Sequence, residues 1–283
     1  MGREVRGLAQ VVFVTDPSDE RIAVFREVRE RDIAGRLNGF IAEGEVVVRS
    51  LAASRLYRPS SLLIAERRLA KLAALIADLP AQTTVYGASQ TVMEAVAGFA
   101  IHRGILAFGL RPATPAPEAL LAGCEASALI VALFGVSNHD NMGGIFRNAA
   151  AFGAAGILLD PACCDPLYRK AIRVSAGAAL RLPFARFAAG QDAVGAMLAQ
   201  GFTLLALSPR GATPLRDLAR PPRVAVLLGA EGPGLADDIL ARARTIAIPM
   251  AGGTDSLNVA TTSGIVLHHL TGAAVVSPAR GGL

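Results

Sequence analysis

Apolar and polar positions alternate along this chain in two rhythms, short apolar runs and segments of helical period. In "SLLIAERRLAKLAALIADL" (61–79) a brief apolar run leads into leucines, alanines and an isoleucine at helical spacing, which predicts a strand followed by an amphipathic helix. "TTVYGASQTVMEAVAG" (83–98) repeats that pattern, and "HRGILAFGL" (102–110) reads as a closing strand. Upstream, "DPSDERIAVFREVRER" (16–31) predicts a helix with Ser18 as N-cap, acids in the first turn, and Ile22, Phe25 and Val28 on one face. Residues 1–110 thus predict a small alternating α/β domain. Three prolines in "RPATPAPEALLAG" (111–123) stiffen the chain and oppose helix continuation, so a linker is expected at 111–125. Beyond it, strands are expected at "ALIVALFGV" (128–136), "GILLD" (156–160), "TLLAL" (203–207), "VAVLLG" (224–229) and "TIAIPM" (245–250). Helix-like segments such as "GGIFRNAAAFG" and "DAVGAMLAQG" separate them. Runs apolar throughout are buried on both faces, so residues 126–283 predict an α/β domain built on a parallel sheet. Ligands of such sheets bind at the carboxyl ends of the strands, where this chain's unusual residues fall.

Composition narrows the class without naming a function. A chain of 283 residues accommodates two domains with separate cores. The apolar run around "ASALIVALFGV" is only about eleven residues, too short to cross a bilayer. Arg3, Glu4 and Arg6 break any signal-peptide pattern, and a soluble, cytoplasmic protein without a membrane partner is expected. Cys124, Cys163 and Cys164 are odd in number and lack CxxC spacing, which argues against a disulfide framework and a zinc site; no metal is expected. Net charge is +5 and the pI about 9.6, favouring an anionic partner. Yet only Lys71 and Lys170 are lysines, and an arginine- and alanine-rich composition more often reflects genomic base bias than nucleic-acid binding. Division at residue 110 gives fourteen basic and twelve acidic residues before it, fourteen and eleven after, so the charge is spread evenly along the sequence.

Three glycine-bearing loops follow three of the expected strands. In "SNHDNMGGIFRNAAAFG", Asn141, Gly143 and Gly144 enter a helix that carries Arg147, a residue able to hold a phosphate or carboxylate bidentately. In "GAEGPGL" (229–235), the glycines lack the GK[ST] ending of a P-loop and do not fit GxGxxG, and Glu231 suits a helix cap equally well. In "IPMAGGTDSLNVATTSGIVLHHL", Ser256, Leu257 and Asn258 present a hydroxyl, an apolar wall and an amide within one turn, though Ser256 also fits a plain N-cap. Each loop alone is weakly informative. Their order and spacing are not: N-x-G-x-x-x-R (141–147), G-x-E-G-x-G-L (229–235) and I-P-M-x-G-x-x-x-S-L-N-V-A (248–260) resemble the three motifs of the SpoU/TrmH-type RNA 2′-O-ribose methyltransferases, of the SPOUT class.

The resemblance spans about residues 126–275, and residues 1–110 are similar in pattern to the ribosomal-protein-like RNA-binding domain that often precedes this catalytic domain. It implies a parallel sheet closed by a C-terminal trefoil knot, which general rules of chain topology would not suggest. It also implies a pocket for S-adenosyl-L-methionine lined by Leu207, Gly229, Ala230, Gly232, Ile248, Met250, Ser256 and Leu257, with "LALSPRG" (205–211) as a further wall. Arg147 matches the family's essential arginine. A guanidinium is almost never free to accept a proton, so its expected role is to grip the phosphate beside the target and stabilise the developing alkoxide. Asn141, Glu231, Ser256 and Asn258 would orient ribose and arginine. Homodimers and an RNA substrate are implied, ribosomal RNA being favoured over transfer RNA.

The chain departs from the family where His268 and His269 stand in place of a frequent glutamate; adjacent histidines point to different faces of a helix, which disfavours a metal pair. His139 and Asp140 suit a turn better than a substrate contact, Cys163 and Cys164 suit core packing, and "ILLDPAC" lacks the second proline and the aromatic residue of a [DN]PP[YF] site. Two alternatives remain open: a catalytically silent RNA-binding protein that keeps the knotted scaffold, and a methyltransferase acting on a base or a small molecule.

Overall fold

These rhythms become strands and helices in the computed structural model, which describes residues 11–26, 37–97, 104–252 and 256–271. The chain divides into two units, residues 1–113 with 166–181, and residues 114–165 with 182–283. In the first, β1 (Val11–Val14), β2 (Gly39–Glu43), β3 (Arg58–Ala65), β4 (Thr84–Ala88) and β5 (Ile105–Leu110) form a sheet of order β1-β4-β3-β5-β2. β1, β4 and β3 are parallel, and β5 runs antiparallel to β3 and β2. Helices α1 (Glu45–Ala52), α2 (Glu66–Ala77) and α3 (Gln90–Ala97) connect the strands. The apolar face read from 61–79 is the buried one, with Leu69, Leu72, Leu75 and Ile76 inside.

The expected first helix takes another form. Glu20–Phe25 is a 3-10 helix capped by Asp19, whose carboxylate accepts from the Arg21 amide. Ser18 does not cap it, because its amide and hydroxyl both donate to Asp16. Ile22 and Phe25 are buried as expected, and Val28 lies outside the described residues.

The proline-rich stretch 111–125 also differs from a plain connector, since α4 (Pro117–Ala122) forms within it and places Leu121 in the second unit's core. Pro117 starts that helix, where a missing N–H breaks no helical bond. The Arg223 guanidinium then donates to the carbonyls of Leu121, Cys124 and Glu125 and closes the turn. β6 (Ala128–Leu133), α5 (His139–Ala151) and β7 (Gly156–Leu159) follow. Pro166–Arg181, with α6 (Arg169–Val174), then belongs to the first unit, where α6 lies against β2. The second unit is thus formed by two stretches of the chain, which leaves it after Asp165 and re-enters it at Leu182.

The remaining elements are β8 (Phe184–Arg186), α7 (Ala193–Ala199), β9 (Thr203–Leu207), β10 (Thr213–Pro214), β11 (Arg223–Leu228), α8 (Asp237–Ala241), β12 (Arg244–Ala247) and α9 (Val259–Thr271). They complete a sheet of order β10-β12-β9-β11-β6-β7-β8 in which each pairing is parallel. β8 and β10 were not legible, being three and two residues long, too short to show a period. Ile130, Ala132, Leu204, Ala206, Ala225 and Leu227 pack into one core on a face of this sheet. Because β12, β9, β11 and β6 are parallel neighbours, the loops leaving their carboxyl ends emerge side by side.

Candidate active site

The loop after β11 is the tightest of these. A Cβ on Gly229 would lie 2.2 Å from the Gly234 carbonyl carbon and 2.5 Å from the Leu235 nitrogen, so no other residue fits there without moving backbone. The loop doubles back at once, with the Gly234 amide donating to the Ala230 carbonyl at 3.0 Å. Gly232 and Gly234 take left-handed φ values of 89° and 72° to make that turn. Beside it, the Phe134 amide donates to Leu228 at 2.9 Å and ties the exit of β6 to that of β11. After β9 the chain crosses β12 closely: a Cβ on Gly211 would meet the Ile246 carbonyl carbon at 2.3 Å, and the Ser208 amide donates to the Ile246 carbonyl.

Asn258 joins the three loops. Its Oδ1 accepts from the amides of Ala260 and Thr261 at 3.0 and 3.1 Å, capping α9. With the oxygen so engaged, its Nδ2 donates to Asn141 Oδ1 at 2.8 Å and to Glu231 Oε1 at 3.1 Å. One amide therefore links residues 117 and 27 positions away in sequence, one from each of the other loops. The cap is Asn258 and not Ser256, which stands two residues earlier on the cavity wall. Asn141 is buried in the first turn of α5, whose N-cap is Asn138; that side chain accepts from the amides of Asp140 and Asn141. His139 and Asp140 are the first residues of this helix.

α5 and α9 cross at close quarters. A Cβ on Gly144 would come within 2.8 Å of the Ala260 Cβ, and Asn148 Nδ2 donates to the Ala260 carbonyl at 2.8 Å and to Ser263 Oγ at 2.9 Å. Asn148 was missed in the sequence, although its position four residues after Gly144 puts it on the same helix face.

The loops enclose a cavity of about 370 Å³. Leu207, Gly229, Ala230, Gly232, Ile248, Met250, Ser256 and Leu257 all line it, as do Glu231 and Asn258. Ser208 and Pro209, from the 205–211 segment expected as a further wall, line it too, and so does Thr262, which had not been singled out. Among the described residues of the lining, Glu231 carries the only ionisable side chain. Asn141 reaches the cavity through Asn258. Arg147 does not line it: it is exposed on α5, two turns beyond Asn141.

Other singled-out residues lie elsewhere. His269 Nε2 bonds the Leu218 carbonyl at 2.8 Å, while the His268 ring meets Phe152 edge-on, so the pair diverges. Cys163 is buried against the Leu133 carbonyl, and burial pushes its thiol up to about 12; Cys164, partly buried, is pushed up to about 11. Arg186 donates to the carbonyls of Asp160, Cys163 and Cys164 and fixes that turn. No helix among the described residues is long and apolar enough to cross a membrane.

A model of the SpoU rRNA Methylase family matches residues 128–268. A Mycobacterium bovis protein described as an uncharacterized tRNA/rRNA methyltransferase is 40% identical over 267 residues, covering 91% of each chain. The crystal structure of an AdoMet-bound rRNA methyltransferase from Sinorhizobium meliloti shares the fold with a TM-score of 0.79 at 24% identity, over 94% of this chain and 99% of that one. That of an RNA 2′-O ribose methyltransferase gives 0.74 at 22% identity, over 92% and 98%. The chain belongs to the SpoU rRNA methylase family of RNA methyltransferases.

Proposed function

We propose that this protein transfers a methyl group from S-adenosyl-L-methionine to a ribose 2′-hydroxyl of RNA, with ribosomal RNA favoured over transfer RNA. The observation that carries the reading is the Asn258 side chain, which joins Asn141 and Glu231 at the wall of a cavity lined by all eight residues expected to hold the cofactor. The cavity's 370 Å³ lies within the range of about 300–1,000 Å³ usual for small-molecule sites. Its walls fit this cofactor: Leu207, Ile248, Met250 and Leu257 offer apolar surface, and Gly229 lets backbone close in where a Cβ has no room. Among the described residues of the lining none is basic, in keeping with a ligand that carries no phosphate, and Glu231 offers a negative charge to a cationic sulfonium.

When bound, S-adenosylmethionine supplies a methyl group activated by that sulfonium. The chain's own residues supply alignment and charge. Arg147, exposed on α5, holds the phosphate next to the target ribose and stabilises negative charge on the 2′-oxygen as its proton passes to bulk water. Asn258 fixes Glu231 and Asn141 so that the ribose meets a preset arrangement. Further parts of the reading are a C-terminal trefoil knot, a homodimer, a cytoplasmic location and an RNA-binding role for the ribosomal-protein-like first domain. Support for the knot lies in the close crossing of Gly211 over the Ile246–Ala247 peptide, after which the chain returns to pack α9 on α5.

The test is transfer of isotopically labelled methyl to RNA, followed by nuclease digestion and mass analysis. The label is expected on ribose, and Arg147→Ala is expected to reduce transfer by about 10²-fold or more. Cofactor binding without labelling of any RNA, or label found on a base, would overturn the reading.

A further inference from the structure

Charge that is even along the sequence is sorted by the fold. The first unit holds nineteen basic and twelve acidic residues, a net +7, and the second nine and eleven, a net −2. More than half of the first unit's excess comes from Pro166–Arg181, which contains Arg169, Lys170, Arg173 and Arg181 and no acid. Its apolar residues are its anchor: Ala171, Ile172, Ala179 and Leu180 are buried, while Lys170, Arg173 and Arg181 are exposed.

The mount is rigid. Gly177 takes a left-handed φ of 81° against α1, where a Cβ would lie 2.6 Å from Ser50. Ser54 Oγ donates to the Leu180 carbonyl at 2.6 Å, and the exposed Arg55 and Arg181 are the residues that follow these two in sequence. The one carboxylate of α1, on Glu45, is held by Arg49 at 2.9 Å and Arg68 at 2.6 Å.

We propose that Arg55, Arg173 and Arg181 form a docking surface for the sugar-phosphate backbone of RNA. Guanidinium groups match phosphate oxygens in pairs. Phosphate contacts of this kind position a substrate without reading its sequence. The identity of the polyanion rests on the RNA methylation proposed above.

The experiment uses the full chain and the variant Arg55→Glu/Arg173→Glu/Arg181→Glu. Binding of a twenty-nucleotide oligouridylate and of total ribosomal RNA is followed by filter retention across a salt series. Affinity is expected to fall about tenfold or more, and the slope of log K against log salt to drop by about 2, the value for three single-stranded contacts. Calorimetric titration with S-adenosylmethionine should give wild-type affinity, showing that the fold persists; should the triple variant misfold, the three single Arg→Gln variants replace it. Methyl transfer should show a raised KM for RNA with kcat kept. Unchanged RNA affinity and salt slope would overturn the proposal, as would a loss no greater than that of Arg216→Glu, a charge reversal on the second unit. If the wild type methylates no RNA, the functional reading fails, while the binding comparison still decides this surface.

Discussion

Asn258 performs three tasks with one amide: its oxygen caps α9, and its nitrogen holds Asn141 and Glu231. The tasks separate on substitution. Asn258→Asp keeps the acceptor for the cap but loses the donor and sets a second negative charge beside Glu231. Its thermal midpoint is expected to stay near wild type while methyl transfer is lost. Asn258→Ala removes both, and should additionally cost about 1 kcal/mol of stability, the usual worth of an N-cap, as read by urea unfolding. Equal loss of stability in the two variants, or retained activity in Asn258→Asp, would contradict the division. The sequence made Asn258 legible as a candidate, because Ser-Leu-Asn leads a helix. Its partners were not legible, since the bond to Asn141 depends on two distant strands becoming neighbours.

Elements were legible where they were long. The strand-to-helix units around β3 and β4 and the strand β11 follow from apolar runs and periodicity, whereas the two-residue β10 has no period to read. Helix starts were less so: Ser18 looked like a cap until Asp16 claimed its hydroxyl. α7 shows how an end can be held from elsewhere. Asp192 caps it through the Gly195 amide and also accepts both terminal nitrogens of Arg242 at 2.8 Å. The Arg242 bonds, then the amide, hold its carboxyl down at about 2, below the ordinary 3.8. A carboxyl held down in the folded state stabilises it above the unfolded value and loses that contribution as pH falls through the folded one. The window is therefore from about pH 4 down to 2. Urea midpoints across that range should fall less steeply in Asp192→Asn than in wild type; parallel acid limbs would show that the contact is immaterial.

Two units were expected from the proline-rich break, but not the exchange of chain between them. Nothing in the apolar pattern of Pro166–Arg181 distinguishes a helix that joins the first unit from one covering the second sheet, because burial alone does not specify the neighbour. The even charge balance hid a polarised one for the same reason. The glycines were different: the need for Gly229 is local, and a Gly-rich turn after a buried strand announced it. That residue gives the most direct measurement, calorimetric titration of wild type and Gly229→Ala with S-adenosylmethionine. Saturable binding by the wild type and at least about tenfold weaker binding by the variant are expected, since the added methyl must displace the Gly234–Leu235 backbone that shapes the cavity. No binding by the wild type, or undiminished binding by Gly229→Ala, would contradict a cofactor site formed by these converging loops.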